Sequence, residues 1–239
     1  MTFSKSNFFF IWASITLLLV ILGFGPTFFL RPVFDPIDYA TGSPELPIHL
    51  IIHGITMTAW FAIFAIQTYL IRIRDVSLHR KLGVAGVIVG LMAVISGFIV
   101  LIEFIDRNPN VEAVTNINVG NTMNFIVFVG MIIVGMIYRK TPEIHKRVML
   151  FAGVVNIGPA LASNRLLGES LHIFIPDAIP LTMMFKTLVV LSLFIYDFRR
   201  DNKVHTTSIV GGGILIGSSL LARVIASSSL GSAYYDFLS

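Results

Sequence analysis

The chain has 239 residues, of which 55% are hydrophobic and 13% charged, about half the charged share of an ordinary soluble domain. With a mean hydropathy of +0.85, too few polar side chains exist to coat a globule in water, which excludes a soluble fold and implies an integral membrane protein. Cysteine is absent, so disulfides, thiolate metal sites, cysteine nucleophiles and covalent haem attachment are excluded as well.

A helix needs roughly 20 apolar residues to cross a bilayer core. Seven stretches reach that length: 7–29, 48–71, 83–105, 119–138, 148–165, 178–197 and 208–227. They predict an all-α, seven-transmembrane-helix bundle forming a single integral membrane domain over 1–239. Pro32, Pro36, Pro44 and Pro47 precede the second span, Asn108-Pro109-Asn110 follows the third, and Thr141-Pro142 precedes the fifth. The first stretch lacks a small-x-small cleavage site and reads as a retained helix.

Placing the N-terminus in the cytoplasm puts 12 of the 17 basic residues inside, Arg72, Arg80, Arg139, Lys146, Arg147 and Arg199 among them, and 9 of the 13 acids outside. This predicts a cytoplasmic N-terminus and an outside C-terminus. The net charge of +4 is then a topology signal, and no aromatic-basic interleaving marks a nucleic-acid partner.

The pair Thr-Met stands 23 residues before a histidine three times: Thr56-Met57 with His79, Thr122-Met123 with His145, and Thr182-Met183 with His205. Each unit runs down one helix, crosses a basic loop and restarts at the histidine, so the chain reads as one leading helix plus three parallel two-helix hairpins at about 48–105, 119–165 and 178–227. Three histidines are expected in one cytoplasmic-side layer. A histidine opening a helix meets the positive end of the dipole, which favours the neutral ring that metals and haem iron need. The bland alternative is an interfacial anchor for each loop.

The second span carries His49, His53, Thr56, Trp60 and Gln67 at intervals of 4, 3, 4 and 7, all on one face. An unsatisfied imidazole within the membrane costs several kcal/mol, so His53 should meet Glu103, Asn121, Asn124 or His172. His49-x-x-x-His53 has a spacing that chelates one metal from a helix, with His172 and Glu103 as further candidate metal ligands. Asn118, Asn121, Asn124 and Asn156 read chiefly as interhelical hydrogen-bonding groups. Gly83, Gly86, Gly90 and Gly97, and Gly211, Gly212, Gly213 and Gly217, read as small-residue seams. Lys186, near the centre of the sixth span, costs at least about 2.5 kcal/mol unless partnered or neutral. No acid is expected at its depth. It would serve as a neutral amine held by Thr or Asn, a partner for an anionic group, or a residue on a transport path.

The run His53, Trp60, Gln67, Leu78-His79-Arg80-Lys81-Leu82-Gly83, with Pro142-Glu143-Ile144-His145-Lys146-Arg147-Val148-Met149 and Tyr196-Asp197 before Val204-His205, resembles a group of uncharacterised bacterial polytopic membrane proteins marked by H-R-x-[LV]-G and H-[KR]-[RK]-x-M loops. The resemblance covers residues 25 to 225 and implies a seven-helix protein of the bacterial inner membrane. A looser resemblance, to di-haem b-type transmembrane cytochromes, implies His79 and His145 as an inner pair. Asn121 and Asn124 stand where an outer partner for His53 would be wanted.

The leading functional expectation is a protein that binds haem b or a divalent metal ion at His79 and His145, with His205, in membrane redox chemistry. His53 would belong to an outer polar site and Lys186 would stabilise an anionic group. Rivals are a pseudo-threefold carrier lined by Lys186, Gln67 and Asn156, an accessory subunit of a larger membrane complex or a homo-oligomer, and a zinc hydrolase built on His49, His53, His172 and Glu103.

Overall fold

A computed structural model describes residues 7–34, 45–107, 111–162 and 181–238, which are all-helical with no strand. The chain opens with α1 (Asn7–Gly23), a π turn at Gly25–Phe29 and a short α2 (Arg31–Phe34). There follow α3 (Ile48–Arg72), α4 (Val76–Arg107), α5 (Val111–Ile137), α6 (Pro142–Val155) and α7 (Gly158–Ala162). The last described helices are α8 (Leu181–Asp201), α9 (Thr206–Ala226) and α10 (Ser229–Leu238).

Five of these, α3, α4, α5, α8 and α9, are long and apolar enough to cross a membrane. The protein is therefore a helical membrane bundle, and its surface has the character of a lipid-facing one. On α4, Val84, Ile88, Leu91, Ile95, Ile99 and Ile102 form an exposed apolar stripe at helical spacing, which only a hydrocarbon solvent accommodates.

Two expected spans take other forms. The first is α1 continued by the π turn, where the Leu30 N–H donates to Gly25 O and Pro26 begins the irregular turn. The fifth is broken, with Asn156 ending α6 and Gly158 beginning α7. The cause is Pro159, which has no N–H for the Val155 carbonyl and so interrupts the ladder. The interrupted helix is tolerated because α6 is the central element. Leu150, Phe151, Val154 and Val155 are fully buried, in keeping with the second half of α6, which is apolar all round.

Three tight turns lie at one end of the bundle, joining α3 to α4, α5 to α6 and α8 to α9. Asp75 caps α4 by accepting from the Leu78 N–H at 2.9 Å. Arg74 and Asn202 close their turns with left-handed backbone, φ 65° and 52°. α1 starts at this same end, where Phe8 stacks on Tyr196 and Phe10 packs near Tyr69.

The expected small-residue seams are realised in part. A Cβ on Gly97 would sit 2.8 Å from Phe125 Cε2 and 3.1 Å from His53 Cε1, and one on Gly90 3.1 Å from Trp60 Cε3. Gly212 lies equally tight on Val190, whereas Gly213 and Gly217 face open space. Gly97→Val should therefore destabilise the protein by about 1–3 kcal/mol. Gly213→Ala should leave it unchanged or gain up to about 1 kcal/mol. Thermal unfolding in detergent checks both.

Candidate functional site

The turn end gathers most of the candidate residues. His79 and His145 are each the fourth residue of their helix, α4 and α6, so the first two expected repeat units place their histidines alike. The rings meet edge to face with centroids 6.3 Å apart. That is close to the roughly 6 Å occupied by two imidazoles on opposite sides of one ion at metal–nitrogen distances of about 2.0 Å. His145 Nδ1 lies 2.8 Å from Gly135 O and His79 Nδ1 3.4 Å from Gln67 O. A carbonyl only accepts, so both rings carry their proton on Nδ1. Neither Nε2 has a hydrogen-bond partner among the described residues.

His205 differs. It is the N-cap of α9, where its Nδ1 accepts from the Thr207 N–H at 3.1 Å and its own N–H donates to Asp197 Oδ2 at 3.1 Å. An Nδ1 that accepts places the ring proton on Nε2, so His205 is committed to capping and stands outside the His79–His145 pair.

Beside the pair lies a charged network whose members, but not whose pairings, are legible in the sequence. Arg147, expected among the loop charges, is wholly buried together with Asp197. Its Nη2 donates to Asp197 Oδ1, its Nε lies 3.1 Å from Ser208 Oγ, and its Nη1 donates to Glu143 Oε2 at 2.7 Å. Ser208 closes the ring onto Asp197 Oδ2. Glu143 also receives Arg200 and Lys146, both at 2.7 Å, and Lys146 sits over the Phe9 ring of α1. The cluster thus ties α6 to α8, α9 and α1. Burial pushes the Glu143 carboxyl up, but hydrogen bonds from Arg200, Arg147 and Lys146 outweigh it and hold it well below the usual carboxylate range. Burial and the nearby Arg147 charge push the His205 imidazole down. An acid at the end of the sixth span, set against a basic residue one helix away, is the signal that could have revealed the Arg147–Asp197 pair.

The polar face of α3 is turned inward, as expected. His49 Nε2 pairs with Glu103 Oε2 at 2.8 Å. The partner of His53 is Ser96, at 3.1 Å from Nδ1, and Ser96 in turn meets Thr56 at 3.1 Å. Among the described residues none of the expected partners, Glu103, Asn121 or Asn124, is used, because Gly97 brings α4 close enough for the Ser96 hydroxyl to reach the ring. Among the described residues no group of three or more His, Asp and Glu that could hold a metal ion is formed; His172 lies outside them. Lys186 is buried, with Nζ 3.0 Å from Asn124 Oδ1 and 3.0 Å from Ser219 Oγ, so two other helices hold it. Asn118 Nδ2 donates to Leu101 O at 3.0 Å, an interhelical bond of the expected kind.

Comparison with protein-family models, with curated proteins and with solved structures returned no match. The site is read on its chemistry alone.

Removing Asp197 strands a buried guanidinium, so Asp197→Ala should cost about 3–5 kcal/mol, while the double replacement Arg147→Met with Asp197→Leu should recover most of it. Chemical denaturation checks this. His205 and Glu143 both titrate lower in the folded protein than in the unfolded chain. Each therefore adds stability above its ordinary value, 6.5 and 4.5 respectively, and loses it as the pH falls through the folded one. Melting temperature against pH should drop first below about 6.5 and again below about 4.5. His205→Asn, which keeps a capping side chain, should shrink the upper step and leave the lower one.

Proposed function

We propose that this chain is a multi-pass protein of the bacterial cytoplasmic membrane whose His79–His145 pair binds haem b or a divalent metal ion in the service of membrane redox chemistry. The observation that carries the reading is the pair itself. Two imidazoles from separate hairpins stand with ring centroids 6.3 Å apart, each held through Nδ1 by a backbone carbonyl, and neither Nε2 has a hydrogen-bond partner among the described residues. Such outer hydrogen bonds fix the tautomer of a ligating histidine and raise its basicity. With only two protein ligands, the donor set suits haem b, whose remaining ligands are its own, better than a bare ion that would need water to complete its shell. A bound haem would supply one-electron exchange; the chain's own part is to hold two rings in register and keep them neutral at helix starts.

The matched helix positions of His79 and His145 support a tandem origin for the first two hairpins. The exposed Arg72, Arg74, Arg80, Lys81, Arg139, Lys140, Arg199 and Lys203 at the turn end support a cytoplasmic placement of that end. A carrier is the second reading, favoured by Lys186, which is buried among α5, α8 and α9 with neutral partners.

Purified protein should show a Soret band with a reduced-minus-oxidised difference spectrum, or one metal ion per chain. His79→Ala or His145→Ala should abolish it, and His205→Asn should not. A protein that is colourless and metal-free when isolated from haem- and metal-replete cells contradicts the reading.

A further inference from the structure

The polar face of α3 extends well beyond the histidine pair. His49, His53, Thr56, Trp60 and Gln67 follow one another on that face, and the contacts along it form two chains. At the end away from the turns, Glu103 meets His49 at 2.8 Å, and His53, Ser96 and Thr56 are joined at 3.1 Å each. At the turn end, Gln67 Nε2 donates to the His79 carbonyl at 3.0 Å, and His79 faces His145.

Between the two chains lie buried polar atoms with no hydrogen-bond partner. Trp60 Nε1, Asn156 Nδ2 and Gln67 Oε1 are in this position, and Trp60 and Asn156 are 3% and 6% exposed. α6 runs against α3 in the opposite sense, with Gly153 on the Phe64 ring, where a Cβ would come within 2.6 Å of Cδ1 and Cζ. Three residues on along α6 and four back along α3 bring Asn156 level with Trp60. Two buried donors and, further along α3, one acceptor therefore stand without a partner in a medium where every polar group must be satisfied internally. Water is the smallest molecule that serves both kinds.

Successive polar residues on the face are about 4.5–6 Å apart along the axis, except that Trp60 and Gln67 are about 10 Å apart. That gap is filled by Phe64, 5% exposed, on the same face.

We propose that the inward face of α3 is a proton path through the bundle, running from Glu103 and His49 to Gln67 at the turn end and closed by Phe64. A proton arriving on one group releases a different proton from the next, so no bond to carbon changes and no oxidant or reductant is needed. His53, Ser96 and Thr56 relay it; the unpartnered Trp60 Nε1–H and Asn156 Nδ2–H donate and so orient water. Phe64 is a dry constriction of the kind that gates by excluding water. The path goes beyond the redox reading, and stands whether or not the pair holds a cofactor.

The full chain, reconstituted in phosphatidylcholine–phosphatidylglycerol vesicles with a pH dye inside and a valinomycin-clamped potassium potential, tests this. Phe64→Ala should admit protons severalfold faster than the wild-type protein, with no rise in sodium or chloride leakage, and adding His53→Leu should return the rate to the wild-type one. Phe64→Leu, which keeps an apolar core residue, should show a smaller rise that His53→Leu also cancels, so the test survives if the alanine variant fails to fold. No rise in either folded variant overturns the proposal. So does a rise that persists with His53→Leu, or one shared by sodium and chloride. Loss of a haem spectrum in His79→Ala bears on the redox reading alone and leaves this outcome untouched.

Discussion

A guanidinium with no exposure to solvent is the constraint on which the turn end of this protein rests. Removing Arg147 from water carries a desolvation cost of several kcal/mol, which only a buried counter-charge with further hydrogen bonds offsets. Asp197 supplies the charge, Ser208 and Glu143 the remaining acceptors. Because these partners come from α8, α9 and α6, satisfying one side chain sets three helices in register. His145 lies two residues before Arg147 in α6, so the helix that carries one half of the histidine pair is fixed by the ion pair. Its other half is fixed by the cap of Asp75 on α4 and by Gln67, whose amide and carbonyl both address His79.

The same accounting governs the bundle as a whole. Apolar side chains such as Ile88 and Ile95 face outward, and polar ones face in, so the interior of the molecule is where its chemistry resides. Among the described residues the main polar groups inside gather in three places: the turn-end network with the histidine pair, the face of α3, and Lys186 with Asn124 and Ser219. The first two touch at Gln67 and His79. The third is held by α5 and α9 and lies on a different seam.

Much of this was legible in the sequence because bilayer chemistry is strict. Apolar length announced the five long helices, and the intervals from His49 to Gln67 announced an inward face. The recurrence of a histidine at each restart announced a layer of three, and the resemblance to di-haem cytochromes named His79 and His145 as a pair within it; that His205 would stand apart was not legible. What escaped was set by distance in space. Arg147 looked like another loop charge because its acid stands fifty residues away, on another helix. The partner of His53 was sought among large polar residues, whereas Ser96 beside Gly97 served because the glycine lets α4 approach. The break after Val155 was written in Pro159, but hydropathy runs straight across it. His205 shares its spacing with the other histidines, yet stands one residue before its helix instead of within it, and that small shift turns a possible ligand into a cap.

The central proposal is that His79 and His145, with ring centroids 6.3 Å apart and each Nδ1 on a backbone carbonyl, leave their Nε2 atoms to a shared ligand. Magic-angle-spinning NMR of the protein in bilayers, with ring-nitrogen-labelled histidine, reads this directly. The account predicts Nδ1-protonated tautomers for both residues, an Nε2-protonated one for His205, and a through-space correlation between the His79 and His145 rings alone. Nε2-protonated rings at His79 and His145, or no correlation between them, would contradict it.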